Sequence, residues 1–122
     1  LDMNTTYEAI KISSGNSFVH ETESQVILNG SRDINFTMDL VSKDIGLFDK
    51  IAQEAGVPVE MSPLIVRLFK EAEANYGSRE FSPNIIRRYE EPLGLKVLGT
   101  GFPDQMVDDE PEERGYEVVP KR

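Results

Sequence analysis

The sequence predicts an all-α fold, a compact bundle of about five helices followed by an irregular acidic tail. Apolar residues recur at spacings of three and four through residues 1–91, and turn-forming clusters interrupt them. No alternating run of β-branched residues is long enough for a strand; the best candidate, Lys96 to Leu98, is short and lies close to glycines. Residues 1–91 therefore read as a helical domain and residues 92–122 as a tail in which Gly, Pro and acids replace the helical periodicity.

The elements follow in order. Met3, Tyr7 and Ile10 share one helical face that ends at Ser13-Ser14-Gly15-Asn16-Ser17, and Phe18, Thr22 and Val26 mark a second helix stopping near Asn29-Gly30. The strongest pattern runs from about Asn35 to Ala55. Met38, Val41, Ile45, Phe48, Ala52 and Ala55 form one stripe there, and Leu40, Leu47 and Ile51 form a second beside it. Gly56 supplies a left-handed stop and Pro58 forbids continuation. Ser62-Pro63 and Ser82-Pro83 each read as an N-cap hydroxyl followed by Pro at the first helical position, where its missing N–H costs nothing. The fourth helix ends at Asn75-Tyr76-Gly77.

Composition excludes several functions. A chain of 122 residues, 39% hydrophobic, can bury a core without disulfides. The absence of Cys removes thiol catalysis and thiolate zinc sites, and it agrees with a cytoplasmic location. With 22 acids against 13 bases, the net charge of −9 steers nucleic acid and anionic membrane away. No apolar run approaches the roughly 18 residues of a transmembrane helix, and no signal-peptide pattern opens the chain. A chain opening on Leu1-Asp2 rather than Met is expected to be a fragment of a longer one.

Function is expected on the central helix. Asp44 points into the gap between its two apolar stripes, with Leu40, Val41, Leu47 and Phe48 three or four positions away. An unpaired carboxylate in such surroundings costs on the order of several kcal/mol, so it requires a partner or a task. Lys43 lies at the edge of the same arc, and Phe36 lies on the Lys43 side about two turns earlier. Phe36, Lys43 and Asp44 form the candidate site. The competing structural account pairs Asp44 with Arg67 or Arg87 and lets Lys43 reach water.

The segment Phe36-Thr37-Met38-Asp39-Leu40-Val41-Ser42-Lys43-Asp44-Ile45-Gly46-Leu47, then Ala52-Gln53-Glu54-Ala55-Gly56-Val57-Pro58, resembles the C-terminal helical domain of the β-hydroxyacid dehydrogenases. This is the family of 3-hydroxyisobutyrate dehydrogenase, whose helical domain is 6-phosphogluconate dehydrogenase-like. The Ser13 to Ser17 loop and the Phe81-Ser82 lead-in extend the resemblance over about residues 1–91. It departs where Val59-Glu60-Met61 follow the Gly-Val-Pro stop and where Phe48-Asp49-Lys50 replace small residues.

The resemblance implies reversible hydride transfer between a small 3-hydroxy acid and its semialdehyde, with NAD or NADP held mainly by an N-terminal Rossmann domain. The helical domain would close the cleft against that domain and supply contacts for a homodimer or larger homo-oligomer. By the same resemblance Lys43 reaches the cofactor near its nicotinamide end, Phe36 walls the substrate pocket and Asp44 orders it. The family's catalytic lysine lies upstream of Leu1, so no catalytic residue is expected in this chain, which alone would be inactive. The alternative reading is a stand-alone helical module for dimerisation or protein interaction, with the apolar arc on residues 38 to 55 as its contact face.

Other motifs carry less. Gly99-Thr100-Gly101 lacks the third glycine of a dinucleotide turn and has no flanking strand and helix. His20, the sole histidine, reads as a replaceable surface residue beside Glu21 and excludes a multi-histidine metal site. Asp104, Asp108, Asp109, Glu110, Glu112 and Glu113 read as a solvated tail without the spacing of a calcium loop, and Phe102, Met106, Tyr116 and Val118 offer it a way to pack back on the body or across a subunit interface.

Overall fold

A computed structural model describes residues 1–109 and 111. Among the described residues the regular structure is helical: α1 (Met3–Lys11), α2 (Phe18–Asn29), α3 (Met38–Glu54), α4 (Met61–Tyr76), a 3-10 helix (Ser82–Ile86) and α5 (Arg87–Leu93). No helix among them is long and apolar enough to cross a membrane. Local chemistry explains most boundaries. The Asp2 carboxylate accepts from the Thr5 N–H at 2.7 Å and the Ser17 hydroxyl from the His20 N–H at 3.0 Å, so α1 and α2 begin on side-chain caps. Gly30 ends α2 in the left-handed region at φ 93°, as Gly56 does just beyond α3 at φ 68°.

Two expected caps are corrected. The helix at Ser62-Pro63 already begins at Met61, with Glu60 before it and no side-chain cap. The Ser62 hydroxyl donates instead to Asp49 Oδ1 of α3 at 2.9 Å, a tertiary bond that a cap would forgo. Pro63 still falls among the first four N–H positions, where no intrahelical bond is lost. At Ser82-Pro83 the cap position is Phe81, and the backbone N–H of Ser82 donates to the Phe36 carbonyl at 2.8 Å. The final helix runs as a 3-10 turn continued by the short α5.

Helices α3 and α4 form the principal helix pair and α1 packs on α2. The α3–α4 pair is antiparallel: Ser62 at the start of α4 bonds Asp49 late in α3, and Ser42 early in α3 donates to Glu73 late in α4. The buried apolar core includes Tyr7, Val26, Leu28, Ile34, Met38, Ala52 and Ala72. His20 is not the bare surface residue expected. It is half-buried, its ring stacks on Tyr7 with centroids 4.9 Å apart, and Nε2 lies 3.0 Å from the Tyr7 carbonyl oxygen, so it joins α1 to α2.

The main chain of 36–39 lies along 78–82. Met38 N–H donates to the Glu80 carbonyl at 2.9 Å and Asp39 N–H to that of Ser78 at 3.0 Å. Those are the orphan N–H groups at the start of α3, which explains why Thr37 makes no side-chain cap. Beyond Gly94 the chain recrosses α1 and α2 without helix or strand, and Phe102 packs edge-on against Tyr7 with centroids 5.1 Å apart. Met106 stays exposed, and Glu110, Glu112, Glu113, Tyr116 and Val118 lie outside the described residues.

The charge that the core depends on is Glu90, whose side chain is 1% exposed. One oxygen accepts the Val97 N–H at 2.9 Å; the other takes Arg32 at 2.5 Å and Lys96 at 3.4 Å. Arg32 also donates to Asn84 Oδ1 at 3.0 Å. Burial pushes the Glu90 carboxyl upward, but the Val97 N–H and the two cations outweigh it and hold the group below its ordinary 4.5.

Substitution and acid should each weaken the hold of this group on the fold. Glu90→Gln keeps an acceptor for Val97 but strands the Arg32 cation, and it should cost about 3 kcal/mol in urea unfolding. The double variant Arg32→Met/Glu90→Gln should recover much of that, and a double variant as damaged as the two single losses added together would show that the pair is not coupled. Because the folded-state value is depressed, the Glu90 contribution is fully present above 4.5 and is lost as pH falls through the folded value. Glu73 acts with the same sign, held below 4.5 first by the Ser42 hydroxyl, against burial, and then by Lys70. Stability should be flat from about pH 7 to pH 5 and fall below that, with a shallower fall in Glu90→Gln.

Candidate functional site

Helix α3 is fixed in rotation by Ser42, which is buried and donates to Glu73 Oε1, the atom that Lys70 also reaches at 3.0 Å. Successive helical residues diverge by about 100°, so with Ser42 turned toward α4 the next two side chains turn away from it. Lys43 and Asp44 are accordingly exposed, at 58% and 52%, and the Lys43 Nζ lies 2.8 Å from Asp44 Oδ1.

Asp44 lies at the edge of a cleft of about 420 Å³ between α3 and α4, otherwise lined by Ile45, Phe48, Met61, Ser62 and Ile65. The expected apolar surroundings are there, but the expected burial is not. Among the described residues nothing covers Leu47 and Ile51 of the second stripe or Phe48 of the first, all of which remain exposed, so the gap that Asp44 points into opens to solvent. Neither arginine considered as its partner reaches it, since Arg67 pairs with Glu71 and Arg87 with Glu91, each at 2.8 Å.

Phe36 does not join them in this cleft. The 78–82 segment holds its backbone, and its half-buried side chain lines a second cleft of about 260 Å³ with Glu23, Ile27, Val41, Phe69, Ser82, Pro83 and Ile85. Glu23 is the polar group that sequence reasoning missed here. Burial pushes its carboxyl above the ordinary 4.5. Its signal was its place four residues before Ile27 and one after the core-facing Thr22, on the edge of the apolar face of α2.

The residues can be tested against a dinucleotide. Lys43 is an exposed cation paired with the neighbouring Asp44 carboxylate, a chemistry that suits a ribose or phosphate oxygen. A pyrophosphate needs a row of free N–H groups, and Gly99-Thr100-Gly101 does not provide one. The Gly99 N–H donates to the Leu28 carbonyl at 2.9 Å and the Thr100 N–H to Asn4 Oδ1 at 2.9 Å. The N–H groups of Gly99 and Thr100 are therefore committed to the fold and do not form a phosphate cradle.

Residues 1–89 match the family model described as NAD-binding of NADP-dependent 3-hydroxyisobutyrate dehydrogenase. Over 96 residues, 78% of the chain, the sequence is 32% identical to a 2-(hydroxymethyl)glutarate dehydrogenase of Eubacterium barkeri. The match covers 32% of that relative, so the chain spans about a third of its length. The family uses NAD(P), and with most of its residues inside the family model this helical chain belongs to the 3-hydroxyisobutyrate dehydrogenase family of β-hydroxyacid dehydrogenases.

Proposed function

We propose that this chain is the C-terminal, substrate-side domain of an NAD(P)-dependent dehydrogenase that moves a hydride between a small 3-hydroxy acid and its semialdehyde. The observation that carries the reading is the outward-facing Lys43–Asp44 pair at the edge of an apolar cleft, in a chain of an NAD(P)-using family that spans a third of a dehydrogenase relative. An N-terminal Rossmann domain would bind the pyrophosphate, and the nicotinamide would supply the hydride chemistry when bound. Lys43 would then offer its ammonium to a cofactor oxygen, Asp44 would hold that ammonium in place, and Phe36 would exclude water from the substrate side.

Exposed apolar side chains favour a homo-oligomer within the same reading. Phe48 and Met61 line the α3–α4 cleft while 58% and 66% exposed, and Leu47, Ile51 and Leu64 are exposed on the same two helices. A second copy covering this face would remove it from water.

The reading is tested in the polypeptide encoded by the complete reading frame around the Leu1 codon. With NADH or NADPH it should reduce small semialdehydes. Lys43→Ala should lower kcat/KM about 10- to 100-fold, the loss of one charge-assisted hydrogen bond of about 1.5–3 kcal/mol, without loss of helical content. Asp44→Asn should act in the same direction. Unchanged kcat/KM in both variants, or no turnover with either nucleotide, would sink the assignment. In sedimentation equilibrium the wild type should have the mass of at least two chains and Phe48→Lys the mass of one. A wild type at single-chain mass would remove the oligomer.

A further inference from the structure

The carboxylates that the fold takes out of water are bonded, with one exception. Among the described residues Glu21, Asp39, Asp49, Glu71, Glu73 and Glu90 are buried or half-buried, and each accepts a hydrogen bond from another side chain. Glu23 is half-buried too, yet among the described residues it has neither a hydrogen bond nor an ion pair. Burial alone moves its carboxyl above the ordinary 4.5, and no cation opposes that rise. An unpaired carboxylate in such a place weakens the fold, and ionisable groups perturbed by burial in a cleft concentrate at functional sites.

Five segments bring this group to the Phe36 cleft. Helix α2 supplies Glu23 and, one turn later, Ile27; Phe36 comes from the connector before α3, Val41 from α3, Phe69 from α4 and Pro83 from the 3-10 helix. Ser82 is the other polar residue of the lining and is neutral, and its backbone N–H is committed to the Phe36 carbonyl at 2.8 Å. The walls are therefore apolar and carry one charged side chain, that of Glu23.

We propose that Glu23 selects the substrate by charge: the Phe36 cleft receives an uncharged alkyl substituent of the 3-hydroxy acid and rejects a substituent that ends in a second carboxylate. The inference rests on the dehydrogenase reading, in which Phe36 walls the substrate side. Ile27, Phe36, Val41, Phe69 and Pro83 offer a short alkyl chain apolar contact, and a cleft of about 260 Å³ has room for a few carbons. A carboxylate at the end of that chain would meet Glu23 with no cation from the lining between them. Two carboxylates so placed cannot both stay ionised without cost, so one takes up a proton or the ligand leaves. An alkyl end imposes no such demand and leaves Glu23 the water on its open side. Selectivity then comes from repelling the wrong ligand as much as from holding the right one.

The test uses the polypeptide encoded by the complete reading frame, NAD or NADP in the oxidised form, and a matched pair of alcohols. These are 2-(hydroxymethyl)pentanoate and 2-(hydroxymethyl)glutarate, whose substituents end in a methyl group and a carboxylate respectively. The wild type should favour the pentanoate about tenfold or more in kcat/KM. Glu23→Gln, which keeps the shape and removes the charge, should move that ratio about tenfold toward the glutarate, chiefly through KM, whereas Glu23→Asp, which keeps the charge, should retain the preference. Turnover with a ratio that Glu23→Gln does not move, or that Glu23→Asp relaxes equally, overturns the inference and leaves the dehydrogenase reading standing. So does a wild type that prefers the glutarate, a result that needs no variant, or one that reduces small semialdehydes yet oxidises neither alcohol. A wild type without turnover of any of these compounds removes the reading and the inference together.

Discussion

The carboxylate of Glu90 sits where four chain segments meet: α5, which carries it, the turn after α2 through Arg32, the 3-10 helix through Asn84 on Arg32, and the returning segment through Val97. Desolvating two ions costs several kcal/mol each, so the pair is retained only because its hydrogen bonds are nearly complete. Among the described residues the buried Arg32 Nε has no partner, and Arg32 itself is held at φ 57°, a left-handed conformation that non-glycine residues adopt at a cost. The ion pair holds that turn in place. The same turn runs by short backbone bonds from Arg32 to Ile34 and on to Phe36, at 2.9 and 2.7 Å, and delivers the chain to the start of α3. Through this connector a charge remote from the candidate site helps to set where α3 begins.

What could be read in the sequence was what repeats locally. The spacing of apolar residues gave four helices whose ends lie close to the observed ones, because their periodicity is long and their stops are Gly56, Gly77 or a turn cluster. What escaped were properties decided by a distant partner. Ser62 and Ser82 look like N-caps until Asp49 and Phe36 bond them. Glu90 has nothing in its neighbourhood to mark it as buried, for Arg32 is 58 residues away. Asp44 lies beside the apolar Ile45 and Phe48 at the α3–α4 cleft, but periodicity does not reveal whether such neighbours are covered.

That exposure bears on chemistry. Lys43 and Asp44 are adjacent and more than half exposed, and an ion pair of that kind contributes at most about 1 kcal/mol. Lys43 can therefore leave Asp44 for a ribose or phosphate oxygen at little cost, whereas Arg32 cannot leave Glu90 without stranding a buried charge. The two acids of the proposal and the core thus serve opposite ends: one holds a cation loosely for exchange, the other fixes it.

The same contrast separates the two clefts. The α3–α4 cleft is apolar except for Asp44 and Ser62, and Ser62 is already engaged by Asp49. Among the described residues its remaining polar chemistry lies at the Lys43–Asp44 edge, where in the proposed enzyme a second domain would supply further contacts. In the Phe36 cleft, burial already disfavours the charge on Glu23. A second domain closing over either cleft would lower the local dielectric further. It would strengthen the bond between Lys43 and an anionic ligand and raise the cost of the Glu23 charge. In the proposed enzyme, domain closure and ligand charge would then be coupled through residues that the helical bundle alone leaves at the surface.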